Sequence, residues 1–479
     1  MWWQDAVIYQ VYPRSFQDSN GDGIGDLPGI TKRLDHIQTL GADAIWLSPI
    51  YPSPNKDFGY DVSDYTNVSP EYGTLKDFDD LVTAAHARNL KLILDFVPCH
   101  TSIEHPWFRE RPDFYFWADA PPNNWQAAFG GSAWDRDPHT GRYYLHSFFP
   151  EQADLNWRNP EVRAEMTKAL EFWLARGVDG YRLDAIDRLM KDPDLKDDPP
   201  ATQPFPLPLH PEYARFSHVN SANAPDIGTA LNAIREAVGQ SAILIGEAYL
   251  PTVQLEPYLE TLDVLFAFEA MNAGPDVERL THTISEAIEA GKAGWVLSNH
   301  DFTRFATRFE DNSRAAMTLF ATLPGPLFVF QGDELGMPNG PGASPPLDRH
   351  ERDEFRHPMP WEDPDSPNKG FTTGRSWLPV IAPPEGTAAE QETDPRSTLH
   401  LTRQLIALKH RLPTDDLRFR PDSPPGVLLL SRGDYTIAIN LGDNPVAIDR
   451  RGDIVLEGIP AGAEGGASLG PHTAFVSLH

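Results

Sequence analysis

Residues 177–185 read GVDGYRLDA, a short β-rich run that ends in an arginine and an aspartate. Side chains on a strand alternate with a period of two, so Arg182 and Asp184 share one face and Tyr181 and Leu183 the other. Runs of the same kind recur at AVIYQVY (6–12), AIWLSPI (44–50), LKLILDFV (90–97), AILIGEAY (242–249), DVLFAFE (263–269), GWVLSNHD (294–301) and PLFVFQGDEL (326–335). Between several of them, LKDFDDLVTAAHARN, NPEVRAEMTKALEFWLARG, IGTALNAIREAVG and THTISEAIEAG carry the i, i+3, i+4 spacing of amphipathic helices. Eight strands alternating with helices predict an α/β fold, a closed (β/α)8 TIM barrel.

Three segments break the repeat, each after a strand end. Residues 101–159 are aromatic and rich in Trp, Pro and Gly, whereas 187–225 and 337–395 are rich in Pro and charge. Insertions at strand ends lie on the face where such barrels hold their active sites, so these should wall a substrate pocket. The expected partition is a catalytic barrel from 1–100 and 160–412, an inserted loop-rich domain at 101–159 after strand 3, and an insertion at 337–395 after strand 8. Beyond the helix-like LHLTRQLIALKHRL, the runs GVLLLSRG, YTIAINLG, AIDRRGDIVLEG and TAFVSLH predict a C-terminal antiparallel β-sandwich domain over 413–479.

Composition narrows the partners. A net charge of −29 repels phosphate backbones and anionic lipid, which excludes nucleic acid and membrane surfaces. The single cysteine, Cys99, cannot form an internal disulfide. The first residues lack the basic and apolar regions of a secretory leader and read directly as a strand, so a cytoplasmic location is expected. A monomer is the default, a dimer the alternative.

The chemistry is read from the strand ends. A guanidinium beside Asp184 should pull its carboxyl down and keep it ionised, as attack on an anomeric carbon requires. In AILIGEAY the same period gives Glu247 the face of Ile243 and Ile245. Adjacent barrel strands lie about 4.8 Å apart, close to the ~5 to 5.5 Å carboxylate spacing of retaining glycosidases. At that range two carboxylates repel by roughly 3 kcal/mol at an effective dielectric of ~20. Glu247 should therefore hold a proton near neutrality and serve first as general acid, then as general base.

The strand-end motifs DFVPCH, GYRLDA, GEAY and SNHD, with Gln152 to Asn156 (QADLN) as a fifth, make the chain resemble the α-amylase superfamily of glycoside hydrolases. Within it, the resemblance is to the oligo-1,6-glucosidase and α-glucosidase group. It implies Asp184 as nucleophile, Glu247 as acid/base and Asp301 as a third carboxylate that stabilises the positively charged transition state. It further implies that Asp61, His100, Arg182, His300 and Arg356 bind the glucose at the cleavage site, with Tyr60 and Phe148 packed against it. Two positions depart from the family pattern: Cys99 stands where asparagine is usual and Ala153 where proline is. Ala185, directly after the nucleophile, resembles relatives that prefer α-1,4 bonds.

DSNGDGIGD sets oxygen side chains around glycines, much like half an EF-hand loop. With the resemblance it implies one structural Ca2+ or Mg2+ held by Asp18, Asn20, Asp22, Ile24 and Asp26; no organic cofactor is expected. The expected function is a retaining, exo-acting α-glucosidase that hydrolyses short α-glucosides, maltose ahead of α-1,6 substrates, with some transglycosylation. The alternative is a trehalose synthase or sucrose-processing transferase or isomerase on the same fold. A non-catalytic sugar-binding or structural relative would have lost carboxylates that this chain keeps.

Overall fold

A computed structural model describes residues 1–414, 416–448, 453–458 and 468–479. The eight anticipated runs form strands β1 (Val7–Val11), β2 (Ala44–Leu47), β3 (Lys91–Phe96), β4 (Gly180–Leu183), β5 (Ile243–Gly246), β6 (Val264–Phe266), β7 (Ala293–Val296) and β8 (Leu327–Phe330). They pair in parallel and close in sequence order, with β8 against β1. The barrel interior is filled by Ile8, Trp46, Ile93, Ile243, Ile245, Val264, Phe266, Val296 and Phe328. These are the alternate residues of each strand, so the period-two reading sorts inner from outer faces. The outward residues join a second core beneath the helices.

The helices start where their side chains can satisfy free amide groups. Thr74 and Asp77 make a capping box ahead of Leu75–His86, and Asn159 and Asp276 cap Pro160–Leu174 and Val277–Ala290. Gly246 sets how closely the end of β5 can pack. A Cβ there would meet Leu262 Cδ1 at 2.4 Å, so only glycine lets the strand end this near to its neighbours.

After β3 the chain runs into His100–Ser102, which pairs antiparallel with Gln152–Asp154. The segment between thus begins and ends on one small ladder, and it also holds a three-stranded sheet of Trp117–Ala118, Trp134–Arg136 and Tyr143–Leu145. At the C-terminus, Leu417–Phe419, Val427–Arg432, Tyr435–Asn440, Thr473–Leu478 and Asp453–Gly458 form a five-stranded antiparallel sheet in that spatial order. One face, with Leu428, Leu430, Ile437 and Ile439, joins the main core next to the helix Ser313–Thr322. The other packs Val427, Leu429, Ala438 and Phe475 against Ile448 and Leu469. The second layer of the expected sandwich is a ribbon, Val446–Ala447 with Ser468–Leu469, among the described residues. Part of the run AIDRRGDIVLEG, 449–452, lies outside them. Among the described residues no helix is long and apolar enough to cross a membrane.

Candidate active site

Register brings three strand ends together. Asp95 on β3 stands opposite Arg182 on β4, and Leu183 stands opposite Gly246 on β5. The ladder continues one residue past each strand, because Asp184 N donates to Phe96 O (2.9 Å) and Glu247 N to Leu183 O (3.0 Å). Arg182 is fully buried over the Trp46 ring. Its Nη1 donates to Asp95 Oδ1 (2.8 Å) and Asp184 Oδ1 (2.6 Å), and its Nη2 makes a charge contact with Glu247 Oε2 at 2.6 Å. Ala185, next in the chain, adopts the left-handed conformation with φ 46°, a strain of about 1–3 kcal/mol for a residue with a Cβ. That turn aims Ala185 N at Glu247 Oε2, 3.3 Å away.

One guanidinium facing three buried carboxylates cannot neutralise them, so the cluster retains a proton. Burial pushes Glu247 up to about 8; Arg182 opposes the shift, and the charges of Asp184 and Asp301 add to it. For Asp184 the shift runs opposite to the sequence-based expectation. Burial raises it, and Arg182, shared with Asp95 and Glu247, pulls it down without offsetting that cost. Asp95 rises for the same reason.

Asp301, beyond β7, sits in a different field. Its Oδ1 accepts from Arg352 Nη1 (2.9 Å) and Arg356 Nη2 (3.2 Å), and its Oδ2 lies 3.1 Å from His300 Nε2. Burial works against its charge, but His300 and the two arginines outweigh it and hold Asp301 well below the usual carboxylate range. Gln10 Nε2 donates to His300 Nδ1 (2.9 Å), which leaves the ring proton on Nε2, facing Asp301. Burial lowers His300 to about 3, and its Nε2 lies near Asp301 without making a hydrogen bond. It stacks on Tyr60 with the planes 3° apart.

These groups surround a cavity of about 420 Å³, within the usual size range for small-molecule sites. Of the anticipated residues, Asp184, Glu247, Asp301, Tyr60, His100 and Phe148 line it. His100 Nε2 is engaged with Tyr60 O at 3.0 Å, while its buried Nδ1 has no partner. Arg182 and His300 are buried just behind the lining.

Two anticipated positions are corrected. Asp61 does not reach the cavity, because its carboxylate is saturated within its own loop by Ser53 Oγ, Lys56 N and Asp57 N. Asp57, four residues earlier, lines the cavity instead. Arg356 also stays behind the wall, donating to His300 O (2.7 Å), Asp301 and Asp348. Arg352, again four residues earlier, is the lining arginine, and it clamps Asp57, Asp301 and Asp348 together. Sequence reasoning also left Asp95 without a role, although its place on the Arg182 face of β3 was readable. Tyr249, Phe302, Phe129 and His350 complete the outer wall. Phe129 and His350 meet at 3.6 Å, and Arg349 pairs with Glu151 at 2.8 Å, so the segments after β3 and β8 close on each other over the mouth.

Cys99 is buried in the core with its Sγ 3.8 Å from Arg188 O. It lies with His100 and Asp154 in a group of potential metal ligands, but Lys191 Nζ already pairs with Asp154 at 2.8 Å and would repel an ion there. The Asp18–Asp26 loop offers only oxygen donors, with Asp18 and Asp26 buried and Gly21 and Gly23 at positive φ. That donor chemistry fits a hard cation. The same oxygens also hold the loop shut: Asp18 accepts from Asn20 N, Gly21 N and Gly23 N, Asn20 from Asp22 N, and Asp22 from Ile24 N.

Comparison with known proteins agrees with this arrangement. Residues 10–414 match the family described as alpha amylase, catalytic domain. The chain is 39% identical over 467 residues to a probable alpha-glucosidase of Rhizobium meliloti strain 1021, covering 86% of this chain and 83% of that protein. It is 36% identical to an oligo-1,6-glucosidase of Parageobacillus thermoglucosidasius, covering 85% and 84%. Among solved structures, the alpha-glucosyl transfer enzyme XgtA superposes with a TM-score of 0.90 at 35% identity, covering 99% of both chains. The trehalulose synthase MutB from Pseudomonas mesoacidophila MX-45 superposes with a TM-score of 0.88 at 33% identity, covering 100% of this chain and 99% of that one. A closed barrel with acidic groups gathered at the ends of β3, β4, β5 and β7, matched over most of its length by such relatives, belongs to the α-amylase family of glycoside hydrolases.

Proposed function

We propose that the protein is a retaining α-glucosidase that removes glucose from the non-reducing end of short α-glucosides. The observation that carries this reading is the single guanidinium of Arg182 gripping Asp184 and Glu247 from two adjacent strands, with burial raising Glu247. Asp184, hydrogen-bonded to Arg182, attacks the anomeric carbon; Glu247 protonates the departing oxygen and then takes a proton from water. Asp301, held ionised by its arginines, stabilises the oxocarbenium-like transition state. Asp57 and Arg352 would fix the hydroxyls of the glucose, and the closed mouth favours exo-action. Ala185 beside the nucleophile leans the specificity towards α-1,4 bonds. NMR of maltose hydrolysis should show α-glucose as the first anomer from the cleaved end, and β-glucose first would overturn the reading.

A second reading is favoured by XgtA and MutB, in which the glucosyl group passes to a sugar instead of water. Product analysis on maltose and on sucrose separates the two: free glucose from maltose supports hydrolysis, whereas an isomer of sucrose without net glucose supports transfer. The Asp18–Asp26 loop is read as holding one structural Ca2+ or Mg2+, far in sequence from the carboxylates and without a part in the chemistry.

A further inference from the structure

Gln10 shares the inward face of β1 with Ile8; it is fully buried and does not line the cavity. Its Nε2 donates both to Ser48 Oγ (3.1 Å) and to His300 Nδ1 (2.9 Å), while its Oε1 has no partner among the described residues. A buried amide left half satisfied costs stability that an apolar side chain of its size would avoid, so packing does not account for it.

His300 supplies the reason. Burial lowers it to about 3, so the ring is neutral, with one nitrogen carrying a proton and the other a lone pair. Tyr12 and Tyr60 both stack on the ring, with planes 14° and 3° apart, which fixes its plane. Stacking has no bearing on which nitrogen is protonated. Nε2 lies 3.1 Å from Asp301 Oδ2, where a lone pair would be pushed away from the carboxylate and an N–H drawn to it. Nδ1 must then be the bare nitrogen, and only a donor can face it. The Gln10 amide nitrogen is that donor, and Ser48 keeps it turned towards the ring.

We propose that Gln10 is a positioning residue for the third carboxylate: its amide fixes the proton of His300 on Nε2, so that an N–H and not a lone pair faces Asp301. The proposal rests on the α-glucosidase reading for the substrates that test it. The test measures kcat and KM for maltose and 4-nitrophenyl α-glucoside across pH, together with nitrogen NMR of the His300 ring, in wild type, Gln10→Met and Gln10→Glu; the signal missing from His300→Gln assigns the ring. In wild type the proton should be on Nε2. Gln10→Met, similar in size, should lose that single form and lower kcat by about tenfold on both substrates with KM little changed. Gln10→Glu should lose as much at high pH and regain activity relative to wild type as pH falls, because a protonated carboxyl donates to Nδ1 as the amide does. A wild-type proton on Nδ1, an unchanged kcat in Gln10→Met, or a loss in Gln10→Glu that does not vary with pH, the mark of a merely structural residue, would overturn it. The first of these needs no variant, so the proposal stays falsifiable whichever variants fold. A wild-type protein inactive on both glucosides would overturn the α-glucosidase reading instead, and the ring proton would still decide this one.

Discussion

Arg182 Nη1 lies 2.6 Å from Asp184 Oδ1, two residues along the same strand and on the same face. The same side chain holds Asp95 and Glu247, so its planar fork cannot be replaced by a point charge. Arg182→Lys should lower kcat/KM by about a hundredfold or more and lower Tm as well, since buried carboxylates lose partners. Steady-state kinetics and thermal melting of the purified variant check both.

Asp184→Asn keeps the shape of the proposed nucleophile and removes its charge. Turnover of maltose should fall by about 10⁴-fold or more, while the folded state remains, as circular dichroism and melting would show. Activity within tenfold of wild type would sink the assignment.

The proton on Glu247 sets the alkaline side of the pH profile. Burial holds its pKa near 8, so kcat/KM on maltose should fall as pH rises through about 8, when the acid is lost. An aryl glucoside, whose leaving group needs less protonation, should show a shallower fall. The same raised value affects stability with a definite sign. The folded chain binds this proton more tightly than the unfolded chain, so the contribution is complete below the ordinary carboxylate range and is lost as pH rises through about 8. Denaturant melts between pH 5 and 9 measure it.

Arg352 holds Asp57, Asp301 and Asp348 at once. Arg352→Gln should raise KM for maltose by about tenfold or more, because the glucose loses a fixed wall. It should also let Asp301 rise from well below the usual carboxylate range, as NMR titration of that carboxyl would read; an unmoved Asp301 with a raised KM would show that the remaining His300 and Arg356 suffice to keep it ionised.

Calcium or magnesium should raise Tm, and a chelator should lower it, with kcat unaffected at temperatures where the protein stays folded. At a free ion concentration 100 times Kd the gain is about 2.7 kcal/mol. Asp22→Ala should abolish the ion's effect on Tm, and calorimetric titration with each ion gives its identity.

The barrel and the polar groups at its strand ends were legible because a strand's period of two fixes where each side chain points. Arg182, Asp184 and Glu247 were singled out by that period together with the recurrence of polar motifs at one rim and the family resemblance. The loops gave no such rule. Asp57 and Asp61, and likewise Arg352 and Arg356, stand four apart in segments without a period, and in both pairs the sequence reading chose the later residue. The contact that settles the matter, Arg352 to Asp57, joins positions 295 apart, and no local pattern announces it. The direction of the Asp184 shift differs from the sequence-based expectation because the sequence shows the neighbouring arginine but not the burial that outweighs it, nor the Asp95 carboxylate that shares it.

Below Arg182 the barrel is filled by Trp46, Phe266 and Phe328, packed ring to ring, which closes the floor of the chamber among the described residues. Molecules must therefore depart in the reverse of the order in which they are seated. Under the proposed mechanism the outer fragment leaves first and the glucose formed at the bottom second, competing on its way out with the next arrival.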